Sequence, residues 1–199
     1  MGLEHCHKCG VNTSFQLSPS IPNQMRDAAF NYVSSFSDGY ESEVVNSFDI
    51  GKVGDDSHRQ ATWLCMLAVR RILFGWAAMK CEGDLPARTI AAVSDWLESG
   101  EMTEWSQYST PAPAVRYGEV IVDCDASRGE PIANAAAATA RFANAASVTD
   151  AIEVLESVWL ADNDGIHCVN SMRLEEWIVN VALPAAIEFR YLSETELQQ

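Results

Sequence analysis

Basic residues are scarce in this chain: 13 Lys and Arg stand against 28 Asp and Glu, a formal net charge of −15. A field of that sign repels phosphate backbones and anionic head groups, so nucleic acid and membrane surfaces are not expected partners, whereas a basic protein would be steered in. Long apolar runs are missing too. The longest, Trp63 to Val69, is cut by Arg70 and Arg71 well short of the roughly 20 residues that span a bilayer. The opening residues MGLEHCHKCG show no basic start followed by an apolar stretch, so no secretory signal is expected.

Familiar chemical signatures are also absent. The chain has no G-x-S-x-G, no phosphate-cradling G-x-x-x-x-G-K-S/T, no G-x-G-x-x-G and no H-E-x-x-H. Hydrolase, nucleotide and dinucleotide readings lose their support, and no residue is assigned a catalytic role. Asp162, Asn163, Asp164 and Gly165 resemble a calcium loop at first sight. With Gly165 at the invariant glycine, however, Leu160 and Ser171 fall where aspartate and glutamate are required, so the stretch reads as a turn.

What is present is a globular balance. Apolar residues make up 48% of the chain and charged residues 21%, enough to bury one core without disulfides or metals. Residues 1–21 lack periodicity and read as an N-terminal arm, followed by a single domain over 22–199. Met25, Ala28, Ala29, Tyr32, Val33 and Phe36 recur at helical spacing behind Pro22, and Glu41 to Phe48 offers one or two further turns. Asp56 or Ser57 is placed to cap the next helix, which runs to about Cys81 and is apolar on most sides between Trp63 and Met79.

That segment is the expected central helix. After Gly83 and Asp84, Ile90, Val93 and Leu97 form the inward stripe of a partner helix that starts near Pro86 and closes at Gly100, completing an αα-hairpin. Val120 to Cys124 alternates weakly as a short strand. The next helix starts either at a Ser127–Glu130 capping box or one turn later at Pro131, and its stretch from Ile132 to Ala146 holds nine alanines, which favours close packing. Thr149 or Asp150 opens a helix with Ile152, Leu155 and Trp159 inward. Asn170 or Ser171 opens another with Leu174, Trp177, Ile178 and Val181 inward, ended or kinked by Pro184. Ala185 to Leu192 is a last helical piece before a polar tail. The fold class is therefore all-α, an irregular bundle of about six to eight helices around a central apolar one.

Six cysteines lie at positions 6, 9, 65, 81, 124 and 168, several inside apolar helical patterns, as reduced thiols of a cytoplasmic protein do. Cys6 and Cys9, flanked by His5 and His7, have a spacing that bites one zinc ion. No second C-x-x-C follows, so a closed tetrahedral site would need His167 and Cys168 as the other two ligands; without them the pair belongs to an ordinary arm and no cofactor is expected. His58, after Asp55 and Asp56, lacks an accompanying nucleophile and reads as part of a helix start. Arg70 and Arg71 are expected to pair with carboxylates and lay their stems over the core. Most tryptophans occupy inward helical positions. Trp105, beside a helix end and a Pro-rich loop, is the one expected at the surface as a partner anchor.

The stretch Trp63 to Glu101, with its WLCMLAVRRIL helix, the break GDLPAR and then TIAAVSDWLESGE, resembles a family of bacterial toxin-immunity proteins, and alanine-rich Ile132 to Ala146 adds to the likeness. The resemblance implies an all-helical immunity-type inhibitor, and the net charge of −15 with the absent catalytic signatures adds the expectation of a non-enzymatic protein that binds a basic partner. Two other readings stand beside it. One is a zinc-binding protein built on Cys6 and Cys9. The other is a helical enzyme, which requires His58, His167, Cys168 and carboxylates to converge.

Overall fold

A computed structural model describes residues 17–34, 41–78, 83–101, 104–110, 126–162 and 172–199. No strand occurs among them. With 174–187 counted as one continuous helix, they hold eight helices, so the chain is an all-α bundle. The expected strand at 120–124 lies outside the described residues.

Helix α1 (Asn23–Ser34) starts directly after Pro22 and turns Met25, Ala29, Tyr32 and Val33 inward, while α2 (Glu41–Asn46) adds Val44 and Val45. Ile21 and Leu17, both within the span read as an arm, already pack on the core. Helix α3 (Asp56–Ala78) is the expected central element. Every residue from Ala61 to Val69 is buried, because the helices over 85–99, 126–145, 148–161 and 183–187 surround it. Burying each large apolar side chain there contributes about 1.5–3 kcal/mol, which outweighs the indifferent helix propensity of its tryptophans and β-branched residues.

The cap of α3 differs from expectation by one position. Gly54 takes a positive φ of 84°, which turns the chain so that the Asp55 carboxylate accepts the amides of His58 at 2.8 Å and Lys52 at 2.9 Å. Asp56 and Ser57 already lie at or inside the first turn and do not serve as the cap. Helix α4 (Leu85–Ser99) follows the sequence closely: Pro86 sits in its first turn, Ile90, Val93 and Leu97 are buried, and Gly100 closes it at φ 70°. Asp84 precedes α4 without a side-chain cap and instead pairs with Arg88 at 3.6 Å.

Helix α5 (Ala126–Ala145) begins before both of the expected starts, so Pro131 lies inside it. Its alanines at 133, 135, 136, 137, 138, 140 and 143 are buried, and their small side chains let α6 (Val148–Ala161) pack along it as the most extensive helix pair of the fold. The bundle therefore has two interior helices, α3 and α5, where the sequence pattern distinguished one. Ser147, not Thr149 or Asp150, caps α6 by accepting the Asp150 amide. That start places Ala151, Val154, Leu155 and Val158 inward and leaves Ile152 and Trp159 half-buried.

The turn from α5 to α6 holds Ala146 at φ 53°, a left-handed position that costs a residue with a Cβ about 1–2 kcal/mol. Its amide closes α5 onto the Phe142 carbonyl at 2.8 Å, as a glycine there normally does. Ala146→Gly is expected to raise stability by about 1 kcal/mol in urea unfolding, part of the strain relief being offset by glycine's greater unfolded-state freedom.

Pro184 neither ends nor sharply breaks the helix after α6. From α7 (Leu174–Trp177) the chain passes through a π-helical turn (Ile178–Ala182) into α8 (Leu183–Ile187), with the Leu183 amide reaching back five residues to Ile178. Widening the helix there accommodates the proline ring and its missing N–H. The expected polar tail is also structured. Ser193 and Glu196 form a capping box for α9 (Glu194–Leu197), Leu197 is buried, and the Met172 amide donates to the Gln199 carbonyl.

Candidate functional site

His58 is fully buried in the first turn of α3. Its Nδ1 accepts the Gly54 amide at 2.9 Å, so the ring proton resides on Nε2, which donates to the Phe142 carbonyl at 2.9 Å. The rings of Trp96 and Phe142 meet it edge-on, at 5.6 and 4.9 Å between centroids. Burial lowers its pKa and keeps it neutral, so both nitrogens serve the backbone and neither is offered to a substrate. Cys65 is equally interior, and burial pushes its thiol up to about 12, which denies it the thiolate that a nucleophile or metal ligand needs.

The two adjacent arginines of α3 part company. Arg71 is buried without exposed side-chain surface, with its guanidinium 4.7 Å from the Trp177 ring, 3.7 Å from Asp162, and hydrogen-bonded to the Met172 carbonyl at 3.2 Å. It also reaches the Leu197 carbonyl at 3.5 Å, tying α3 to the end of α6, the start of α7 and the C-terminal turn. Arg70, about 100° round the helix, is half-buried on a different face.

Arg70 borders an open surface groove of about 370 Å³ between α3 and α4, lined also by Leu73, Ala87, Ile90, Ala91, Ser94 and Tyr191. Tyr191 reaches this place because α3 holds the chain leaving α8: Gln60 donates to the Ile187 carbonyl at 3.0 Å and the Trp63 indole to the Arg190 carbonyl at 3.1 Å. The Tyr191 ring lies 4.8 Å from Trp63 on one side and 5.6 Å from the Arg70 guanidinium on the other. Its hydroxyl donates to Glu98 at 2.6 Å and accepts from Ser94. Partial burial and the Glu98 carboxylate raise the phenol's pKa, so the donor stays protonated. The helix expected over 185–192 ends at Ile187, so Tyr191 stands in the non-helical chain after it, and no local pattern foretells its meeting with Ser94 and Glu98 nearly a hundred residues away.

Trp105 corrects the sequence expectation. It is buried in a 3-10 turn (Trp105–Gln107), its ring 6.0 Å edge-on from Trp96, so it is a core residue and offers no surface anchor. Cys6, Cys9, His167 and Cys168, the four expected zinc ligands, lie outside the described residues, as do His5 and His7. Among the described residues no three His, Cys, Asp or Glu side chains are grouped to hold a metal ion. No helix among them is long and apolar enough to cross a membrane.

Several arginines are engaged by other parts of the fold. Arg141 is bound between Asp150 and Glu153, at 2.7 Å to each, Arg190 binds Glu196 at 2.9 Å, and Arg59 donates to the Leu97 carbonyl. Asp95, Glu98, Glu101 and Glu104 run along the exposed end of α4 and the segment after it, and none forms an ion pair among the described residues. No family model, curated protein or solved structure matches this chain.

Proposed function

We propose that this is a non-enzymatic, cytoplasmic binding protein that captures a basic protein partner, in the manner of an immunity-type inhibitor of a bacterial toxin. The observation that carries the reading is the disposition of charge. Arg59, Arg71, Arg141 and Arg190 are engaged by other parts of the fold, while Asp95 and Glu98 at the end of α4 and Glu101 and Glu104 after it are exposed. An outward acidic edge on a chain of net charge −15 steers basic partners and rejects acidic ones, and such rim charges act chiefly on association rate. The likeness of residues 63–101 to toxin-immunity proteins supports the same reading, because α4 supplies this edge.

Capture from a lysate of the source cells, with the immobilised protein at low and high ionic strength, tests the proposal. A basic protein should be retained at low salt and released at high salt. The combined variant Asp95→Lys, Glu98→Lys, Glu101→Lys, Glu104→Lys, checked for unchanged helicity, should retain at least about tenfold less, since like charges across an interface repel. Retention indifferent both to salt and to charge reversal would remove the reading.

A further inference from the structure

We infer that the groove between α3 and α4 is a binding site for a small amphiphilic monocarboxylate, its apolar body on Leu73, Ala87, Ile90 and Ala91 and its carboxylate on Arg70. Three observations point there. The groove, of about 370 Å³ and open to solvent, is lined mainly by apolar side chains. Its cation is available: Arg70 makes no ion pair among the described residues, although acids outnumber bases more than twofold in this chain. The guanidinium also lies over the Tyr191 ring, 5.6 Å from its centre, and that ring is held by Trp63, Ser94 and Glu98. A guanidinium held over a ring face keeps N–H donors for a carboxylate.

Local charge sets the orientation. Glu98, behind the Tyr191 hydroxyl, repels an anion at that end of the groove, so the carboxylate belongs at the Arg70 end and the chain runs along α4. A phosphate or nucleotide fits less well, because it carries more negative charge toward Glu98 and leaves the apolar lining uncovered.

The site shares Glu98 with the acidic edge proposed as the partner surface but does not rest on that reading, and it is tested with octanoate, octanol and octylammonium as probes. Titrations are followed by the methyl resonances of Ala87 and Ala91 and by calorimetry. Octanoate is expected to shift both methyls saturably and to bind at least about tenfold more tightly than octanol, as a charge-assisted hydrogen bond would give, with octylammonium weaker still. Arg70→Gln should weaken octanoate about tenfold and leave octanol unchanged. Ala91→Trp, which fills an exposed part of the groove without touching the core, should abolish binding of both while helicity is retained. Absence of a saturable octanoate shift, equal affinity for octanoate and octanol, or indifference to Arg70→Gln would each overturn the inference.

Discussion

Arg71→Ala is expected to destabilise the protein by about 3–5 kcal/mol in urea unfolding, the largest loss foreseen for any single polar side chain here. The guanidinium has no exposed surface, and it serves the Asp162 carboxylate, the Trp177 ring and the carbonyls of Met172 and Leu197 together. Truncation removes the cation from beside a carboxylate whose side chain is only 14% exposed and strips a donor from two backbone oxygens. Arg71→Met separates charge from packing, since it keeps most of the volume and none of the donors. It should cost nearly as much as the alanine variant and should expose the C-terminal turn to early hydrogen exchange, because that turn is held by the same donors. A methionine variant within about 1 kcal/mol of the parent would show that the interior is maintained by volume alone, and the network argument would be wrong.

The second large effect belongs to His58. His58→Ala removes one buried and one part-buried hydrogen bond and two edge-on ring contacts, and a loss of about 3 kcal/mol is expected. The imidazole also makes stability depend on pH in a defined window. Burial lowers its pKa from the ordinary 6.5, with the Phe142 carbonyl and Asp55 opposing in part, so the unfolded chain takes up the proton first as pH falls. The stabilisation by neutral His58 is complete above pH 6.5 and declines below it by at most about 1.4 kcal/mol per pH unit. It levels off once the pH passes below the folded-state value.

Asp55 and Glu196 act in a separate, more acidic window. Both carboxyls are lowered by hydrogen bonds to backbone amides, Glu196 to about 2, so their contribution is present at neutral pH and is lost only below the ordinary carboxylate values. Urea unfolding of the parent and of His58→Gln from neutral pH down to about pH 5 checks the assignment, because only the imidazole's contribution should vanish in the variant. Parallel curves for the two proteins would contradict it.

Local pattern anticipated the elements that carry their own punctuation. Pro86 and Gly100 bracket α4, Pro22 precedes α1, and the apolar run of α3 could be satisfied only in an interior. It failed by small steps where several residues offered the same chemistry. In Asp55, Asp56 and Ser57 any of three side chains can cap, and the left-handed Gly54 decides in favour of Asp55. Ser147 stands in the same relation to Thr149 and Asp150. Trp105 failed for another reason: its neighbours in sequence resemble a surface loop, and only the arrival of Trp96 from α4 gives its ring a buried face.

The candidate groove was the least legible feature. Arg70 and Arg71 are chemically identical and adjacent, yet one helical step of about 100° separates a buried structural cation from one facing a groove. Sequence by itself determined the charge, the helical class and the interior place of α3, because composition and periodicity are properties of the chain that need no partner. The tertiary structure alone decided which arginine meets Asp162 and Trp177, which meets Tyr191, and where His58 sends its two nitrogens, because each depends on an element from elsewhere in the chain arriving at a particular helical face.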